Sequence, residues 1–541
     1  MALHKSSIME LLLALTEVPS VSRTEGEARM GAFIKEKLLE RVPGLKDNPK
    51  NLIWYPLPND PLGRHVVGAI VYSAEDTKDT VILTGHYDVV DVGDYGKYKK
   101  LAFSPMEYTK ALKGENLDTE SKQDLLSGDY LFGRGIMDMK CGLAAEMALL
   151  EEFAADVSKF PVNVLFLAVP DEEDSSEGMR AAVSLLVELQ EKENLRYLGA
   201  ILTEPSSAGA QVEGKELIFC GTVGKLMPFF YCMGAGAHVG QYYRGLSATL
   251  LASFCNQLME ANPDLIEEVN GEKTPPPACL YFRDLRESYS VTLPDRALVY
   301  YNLLTLRKYP ADIIKELKKI AERAFKKTLE HLAGSAKSAG FDVDEFSPLV
   351  LSFEEYLTEL ARTNPDIKGE IRRIASELAE LNDDRERAIE LLKKLSDKDP
   401  SRKPKIVVGF LPPWYPHREN TRETSSDLLV ADVAQKVVNE AKDKFGIDME
   451  IKEFFGGICD LSYMGYKGSA FDPFCVAANM PGWGSIYRVA VKDLMKLDIP
   501  VLNIGPSGKD PHKATERLYL PFSLEVFPAL LERAVKAFKE V

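Results

Sequence analysis

Apolar residues along the first 205 positions follow two different periodicities. Over 6–41 they recur at intervals of three and four residues, which predicts two amphipathic helices. The runs at 66–73, 81–85, 162–169 and 199–203 are instead continuously apolar or rich in β-branched residues, as in strands that are buried on both faces. Segments of helical spacing separate the later runs. This alternation predicts the α/β class, with a mostly parallel, doubly wound sheet.

The pattern changes near residue 215 and returns to its first form near residue 416. Between these positions extended segments and helices are mixed, which predicts a smaller α+β unit. Within it, residues 345–400 are dense in Glu, Arg, Lys and Leu, with opposite charges four residues apart, so we expect an insertion of solvated helical hairpins. Residues 92–130 are polar and lysine-rich, as in a surface excursion. The simplest architecture is one large domain, 1–214 with 416–541, that carries a small domain at 215–415.

Composition narrows the class of protein. A chain of 541 residues is too long for one core, and its charged fraction of 27% is that of an ordinary globular protein. The formal charge of −16 argues against nucleic acid or an anionic membrane as partner, because both attract clustered Lys and Arg. Seven scattered cysteines without a CxxC pair suit a reducing compartment, and the N-terminus has the spacing of an amphipathic helix rather than of a signal peptide. We therefore expect a cytoplasmic protein.

Side chains that can bind metals follow the ends of the predicted strands. Each has an ordinary interpretation when taken alone: a strand-end histidine, a helix-capping aspartate or a solvated acidic loop. Together they would meet at one edge of the sheet, where open α/β sheets bind ligands. Because the set offers nitrogen and oxygen donors but no thiolate, it favours a catalytic over a structural zinc site. The candidates are His86, Asp88, Asp138, Glu173, Glu204 and His512.

The motifs that contain these residues resemble, as an ordered set, a known enzyme family. HYDVV at 86–90, GRGIMDMKCG at 133–142, PDEEDSSEG at 170–178 and LTEPS at 202–206, followed by His512, are similar to the dizinc metallopeptidase and aminoacylase family. That family includes aminoacylase, succinyl-diaminopimelate desuccinylase and the glutamate carboxypeptidases. The long inserted domain, the DEEDSSEG form and the chain length most resemble its arginine-utilisation (RocB-type) branch. The resemblance implies a split catalytic domain at 1–214 and 416–541, with a lid and dimerisation domain at 215–415.

Carried over by position, the resemblance implies two zinc ions, with cobalt or manganese as alternatives. Asp138 would bridge them, and Glu172 would be the general base. Asp88 would lie behind His86 and fix its tautomer. His86 and Glu204 are expected to hold different metals, while the full assignment of ligands to the two ions stays open. The implied metal ligands are His86, Asp138, Glu173, Glu204 and His512.

Further residues concern the substrate and the assembly. His238, in GAGAHVGQYYRG, matches the lid histidine that completes the oxyanion site from a partner subunit, which implies a homodimer; an ordinary loop histidine is the alternative. Gly456 and Gly457, in GGICD, resemble a glycine-rich turn beside the substrate pocket. The Asn and Arg with which relatives often hold a substrate carboxylate are not evident, and Asn302 is a candidate substitute.

The combined interpretation is a cytoplasmic, zinc-dependent amidohydrolase or peptidase. Its substrate would be an N-acyl amino acid or a small peptide, with a role in arginine utilisation, and neither nucleic acid nor membrane would be a partner. Two alternatives remain open. The chain could be a non-catalytic binding or regulatory protein that retains the fold, or an enzyme with a single metal.

Overall fold

Two compact units make up the described part of the chain, which in this computed structural model comprises residues 5–205, 215–401, 403–469 and 471–540. The first unit contains the described residues of 1–223, 418–466 and 492–541. The second contains those of 224–417 and 467–491. Residues 467–491, which the sequence pattern assigns to the large domain, therefore group with the second unit.

The strands are numbered in chain order, and those that follow β14 have two to four residues each. Strands β1 to β18 are Leu52–Pro56, His65–Val71, Asp79–His86, Tyr130–Phe132, Asn163–Val169, Arg196–Leu202, Glu216–Phe219, Gly224–Met233, Glu268–Val269, Glu272–Lys273, Ala278–Asp284, Arg296–Thr305, Val350–Ser352, Lys405–Tyr415, Met449–Lys452, Val501–Asn503, Gly508–Lys509 and Arg517–Tyr519.

The helices range from one turn to eight. Helices α1 to α15 are Lys5–Thr16, Glu25–Arg41, Pro105–Leu112, Thr119–Ser127, Cys141–Ala155, Glu177–Glu193, Ala248–Met259, Pro310–Ala339, Phe353–Ala361, Ile367–Glu377, Asp384–Ser396, Ser425–Phe445, Phe471–Asn479, Val491–Leu494 and Phe527–Ala537. Within the described residues, none of these helices combines the length and the apolar character that a bilayer crossing requires.

The first unit is built on an eight-stranded sheet in the order β1-β2-β5-β3-β6-β16-β7-β15. Its central strands β5, β3, β6 and β16 pair in parallel, whereas β1 and β2 add an antiparallel edge. Apolar residues of α1, α2, α5, α12 and α15 form one core against the sheet. The α/β class is confirmed, with a mixed sheet whose parallel part is central.

The second unit has a five-stranded sheet in the order β11-β12-β8-β14-β13. The expected insertion at 345–400 does form helices, α9 to α11, but they are not solvated hairpins. Leu391, Leu392 and Leu395 are buried in a core shared with Tyr231 and Val407 of the sheet. The leucines that recur at helical spacing thus form an apolar face on the sheet, while most charged residues of these helices are exposed or half-buried.

Residues 92–130 form a small folded subregion of the first unit rather than an open surface loop. Helices α3 and α4 close around Tyr95, Tyr108, Leu125 and Phe132, all of them buried. The aromatic residues are spaced too irregularly to show a strand or helix period, so the polar and lysine-rich positions dominate the sequence pattern.

Candidate metal centre and active site

Three adjacent parallel strands bring candidate residues to one edge of the first unit's sheet. Strand β3 ends at His86 and lies between β5 and β6. Glu172 and Glu173 come shortly after the end of β5 at Val169, and Glu204 comes shortly after β6. Because parallel strands present their carboxyl ends at the same edge, these side chains converge there.

Asp138 presents its two carboxylate oxygens to two different histidines. It lies in the turn Ile136–Lys140 that leads into α5. Its Oδ1 is 3.2 Å from Nε2 of His86, and its Oδ2 is 3.3 Å from Nε2 of His512. His512 lies between β17 and β18 with a left-handed backbone, φ 65°. A carboxylate placed in this way would be able to offer one oxygen to each of two cations.

The other acidic ligands divide between the two histidines. Oε1 of Glu204 lies 3.2 Å from Nε2 of His86, and Oε2 of Glu173 lies 3.0 Å from Nε2 of His512. This geometry places Glu204 beside His86, whereas the two were expected to hold different metals, because β6 pairs directly with β3 and delivers Glu204 to His86. The two groups adjoin, because ligand atoms of His86, Asp138 and Glu173 also lie within 4.8 Å of one another.

Glu172 lies beside the His86 group. Its Oε2 is 3.8 Å from Nε2 of His86, and its side chain is 11% exposed. Burial, together with the charges of Glu204, Asp460 and Glu173, raises the pKa of Glu172 well above the usual range, although His86 opposes the shift. A carboxyl group at the rim of a metal-binding cluster is placed to accept a proton and release it again.

Asp88 lies behind His86 and is completely buried. Nδ1 of His86 is 3.0 Å from the Asp88 backbone carbonyl, which directs Nε2 toward Asp138 and Glu204. The Asp88 carboxylate accepts hydrogen bonds from the Glu172 and Glu173 amides, at 3.0 and 3.2 Å, and from the Ser22 hydroxyl at 2.7 Å. Burial alone would raise the pKa of Asp88, but its hydrogen bonds, chiefly with His86, hold it below the usual value. Asp88 therefore orients two separate parts of the site, the His86 ring through its backbone carbonyl and the Glu172–Glu173 backbone through its carboxylate.

Asp88→Ala is expected to weaken metal binding about 10- to 100-fold. It keeps the backbone carbonyl behind His86 but removes the carboxylate, which lies 3.5 Å from Nδ1 of His86 and holds the Glu172 and Glu173 amides. Competition for zinc against a chromophoric chelator would measure the change. Ser22→Ala, which removes a single donor from the same carboxylate, is the matched control and is expected to leave the affinity nearly unchanged. Equal affinities in Asp88→Ala and the wild-type chain would contradict this role.

The donor set of the cluster suits divalent cations. Hydrogen bonds to Asp138 and Glu173 raise the pKa of His512 to about 10. Burial, reinforced by the charge of Asp138, raises the pKa of Glu204 to about 7. Both shifts have a contribution from the excess of carboxylates in the cluster, which favours added positive charge. Imidazole nitrogens and carboxylate oxygens are donors that zinc, cobalt and manganese accept.

The stability of the metal-free chain is expected to fall as pH rises toward 7. A raised carboxyl pKa means that the folded state holds a proton that the unfolded state has released above about pH 4.5. The contribution of Glu204 to the free energy of unfolding is therefore fully present below pH 4.5 and is lost as the pH rises through about 7. Its loss should lower the free energy of unfolding by on the order of 3 kcal/mol. Urea unfolding of the chelator-treated wild type and of Glu204→Gln between pH 4.5 and 8 would measure this, and parallel profiles for the two proteins would disprove it.

The remaining candidates are distributed over both units. His238 belongs to the second unit, where it is exposed and its Nδ1 accepts the Gly240 amide at 3.1 Å. Asn302 is half-buried in β12 of the same unit. Gly456 and Gly457 lie in the first unit, in the turn between β15 and the short helical segment Asp460–Tyr463.

A buried ion pair that the sequence motifs do not indicate lies beside the ligands. Nη1 of Arg134 lies 2.9 Å from Oε2 of Glu516, and both side chains are 1% exposed. Arg134 belongs to the GRG motif, and Glu516 follows His512 by four residues. The sequence does show one charged residue close to each of two candidate ligands. It does not show that these two residues contact each other, because they lie far apart in the chain.

Comparison with known sequences places this site in a family. The model of peptidase family M20/M25/M40 matches residues 82–482. The uncharacterised protein YqjN of Bacillus subtilis is 33% identical over 98% of this chain and 96% of its own length. RocB of the same organism is 32% identical over 97% of this chain and 93% of its own.

Solved structures show the same fold at low sequence identity. A tripeptidase from Staphylococcus aureus matches with a TM-score of 0.54 and 15% identity, over 99% of each chain. Human carnosine dipeptidase 1 matches with a TM-score of 0.53 and 12% identity, over 100% of this chain and 97% of that one. From the match of the family model over most of the chain and the two full-length relatives, this protein belongs to peptidase family M20/M25/M40, the hydrolases of peptide and amide bonds.

Proposed function

We propose that this chain is a dinuclear, zinc-dependent amidohydrolase that cleaves the amide bond of an N-acyl amino acid or small peptide. The observation that carries the proposal is the placement of Asp138 between His86 and His512, with Glu172 at the edge of the cluster. A protein that kept the fold only for binding would have no need of a carboxyl group beside the ligand set. The complete arrangement therefore favours turnover over the non-catalytic alternative.

Two ligand groups would hold the cations. His86, Glu204 and one oxygen of Asp138 form the first, and His512, Glu173 and the other oxygen of Asp138 form the second. Bound there, the cations would supply the positive charge that polarises a scissile carbonyl and acidifies water.

Glu172 would carry the proton. Placed 3.8 Å from Nε2 of His86, its carboxylate would take up a proton from the attacking water, and the same carboxyl group would then deliver that proton to the leaving nitrogen. Glu173 would not compete for this role, because its Oε2 is directed at His512. The hydrogen bonds from both backbone amides to Asp88 would keep the two neighbouring carboxylates pointing in their different directions.

Similarity to RocB supports a substrate that arises in arginine utilisation. A hydrolysis panel would test this and the broader function together. It would contain N-acyl amino acids and dipeptides, with and without arginine, and would be assayed on zinc-loaded protein with metal content determined per chain. Release of a free amino acid by a chain with two zinc ions is the expected result. A fully loaded chain that cleaves no member would favour the binding-protein alternative, and activity with one zinc per chain would favour the one-metal alternative.

A homodimer with a shared active site is the proposed assembly. In the second unit, edge strand β11 exposes Leu280 and Phe282, which supports pairing with another copy. His238 would then stabilise the developing oxyanion of the partner's reaction, and His238→Ala should lower kcat about 10²- to 10³-fold.

Mixing of inactive variants would test the sharing of sites. Equal amounts of His238→Ala and Glu172→Gln, exchanged into mixed dimers, should regain about one quarter of wild-type activity, since half the dimers would contain one intact site. A mixture that stays inactive after confirmed subunit exchange would contradict a role for His238 in the partner's site.

A further inference from the structure

Arg134 and Glu516 form an ion pair that touches the backbone of two candidate metal ligands. Oε1 of Glu516 accepts the amide of Met137 at 3.2 Å and that of Asp138 at 3.4 Å. Nη2 of Arg134 donates to the backbone carbonyl of His512 at 3.2 Å. The pair thus joins the bridging carboxylate to the more exposed of the two histidines, which lies more than 370 residues further along the chain.

The pair is itself held firmly in place. The guanidinium of Arg134 lies over the ring of Tyr95 at 5.2 Å and also contacts Asp94 Oδ1 at 3.1 Å. Backbone hydrogen bonds hold both residues in place: the Gly133 amide donates to the Glu516 carbonyl, and the Arg134 amide donates to the Ala102 carbonyl. Burial of two full charges lowers the folding stability unless further hydrogen bonds offset the loss of hydration. Here each charge is hydrogen-bonded to the main chain of a different ligand residue.

From these contacts we infer that Arg134 and Glu516 are positioning residues, which fix the position of His512 relative to Asp138. They would thereby determine the metal affinity of the group formed by Asp138, Glu173 and His512. The inference rests on the proposed two-metal function. The His86 group depends on this pair less, because His86 lies at the end of β3 and is oriented by Asp88. The inference therefore predicts a selective effect on one of two metal equivalents.

Arg134→Lys is the most informative variant. Lysine keeps the positive charge beside Glu516 but lacks the planar fork that reaches Glu516 and the His512 carbonyl together. Titration of the metal-free protein with cobalt(II), followed by visible absorption, would resolve the binding of the first and second metal equivalents. Comparison with His512→Ala would identify the equivalent that involves His512. In Arg134→Lys that equivalent is expected to weaken about 10- to 100-fold, with the other unchanged.

Two further variants separate positioning from folding. The double variant Arg134→Met/Glu516→Gln leaves no unpaired buried charge and should show the same selective weakening. Arg418→Lys alters another buried guanidinium, which contacts Asp498 and the Ile499 carbonyl, and should lower the melting temperature without changing the cobalt titration. Wild-type affinity for the His512 equivalent in both Arg134→Lys and the double variant would overturn the inference.

The wild-type titration keeps this test distinct from that of the proposed function. A wild-type chain that binds a single equivalent would refute the two-metal proposal. The inference would then be supported if Arg134→Lys weakens that equivalent and overturned if it does not.

Discussion

Glu172→Gln is expected to lower kcat by about three orders of magnitude while both metal equivalents stay bound. General acid–base catalysis by a positioned side chain commonly contributes 10²- to 10⁴-fold, and glutamine can neither take up nor release the proton. Metal retention is expected because glutamine keeps a side-chain oxygen beside His86 and Glu204, and the contacts of Asp138 with both histidines stay in place. Initial rates on the best substrate of the hydrolysis panel, together with metal content per chain, would measure both quantities.

Glu172→Asp is the matched comparison, because it keeps the acid but withdraws it from the cluster by one methylene. Its kcat should lie between those of the wild type and Glu172→Gln. A Glu172→Gln protein that retains more than about a tenth of wild-type kcat would rule out Glu172 as the base, since even weak general-base contributions exceed that loss.

Asp138→Ala is expected to abolish tight binding of the second cation and to lower kcat/KM by at least about four orders of magnitude. The loss follows because one carboxylate faces both histidines, so its removal takes a ligand from each group at once. Polarisation by metal ions is worth several kcal/mol in a transition state, which corresponds to a factor of this size. Metal content per chain after dialysis and single-substrate kinetics would test the prediction.

Glu173→Ala provides the comparison for Asp138→Ala, because Glu173 contacts only the His512 side among the ion-pair contacts described. It should weaken one metal equivalent and leave the other. Equal metal losses in the two variants would contradict the bridging role of Asp138 and favour two unconnected ligand groups.

Local patterns were sufficient for the α/β class because each buried strand and amphipathic helix spans only a few residues of one periodicity. They failed where a segment's partner is distant in sequence. The apolar face of α9 to α11 meets sheet residues such as Tyr231, more than 100 positions away, and a charged surface pattern gives no sign of that contact. The grouping of residues 467–491 with the second unit is a long-range property of the same kind.

The sequence by itself determined which residue types stand at the strand ends, and therefore the chemistry that the site can support. The carboxyl ends of parallel strands share an edge, so His86, Glu173 and Glu204 were expected to lie near one another. Only the tertiary structure decided which of them meet. Strand β3 lies between β5 and β6, which brings Glu204 into contact with His86. The segment after His512 pairs Glu516 with Arg134, so that Glu516 accepts a hydrogen bond from the Asp138 amide. Strand order and such distant pairings depend on packing of the whole unit, which no local periodicity records.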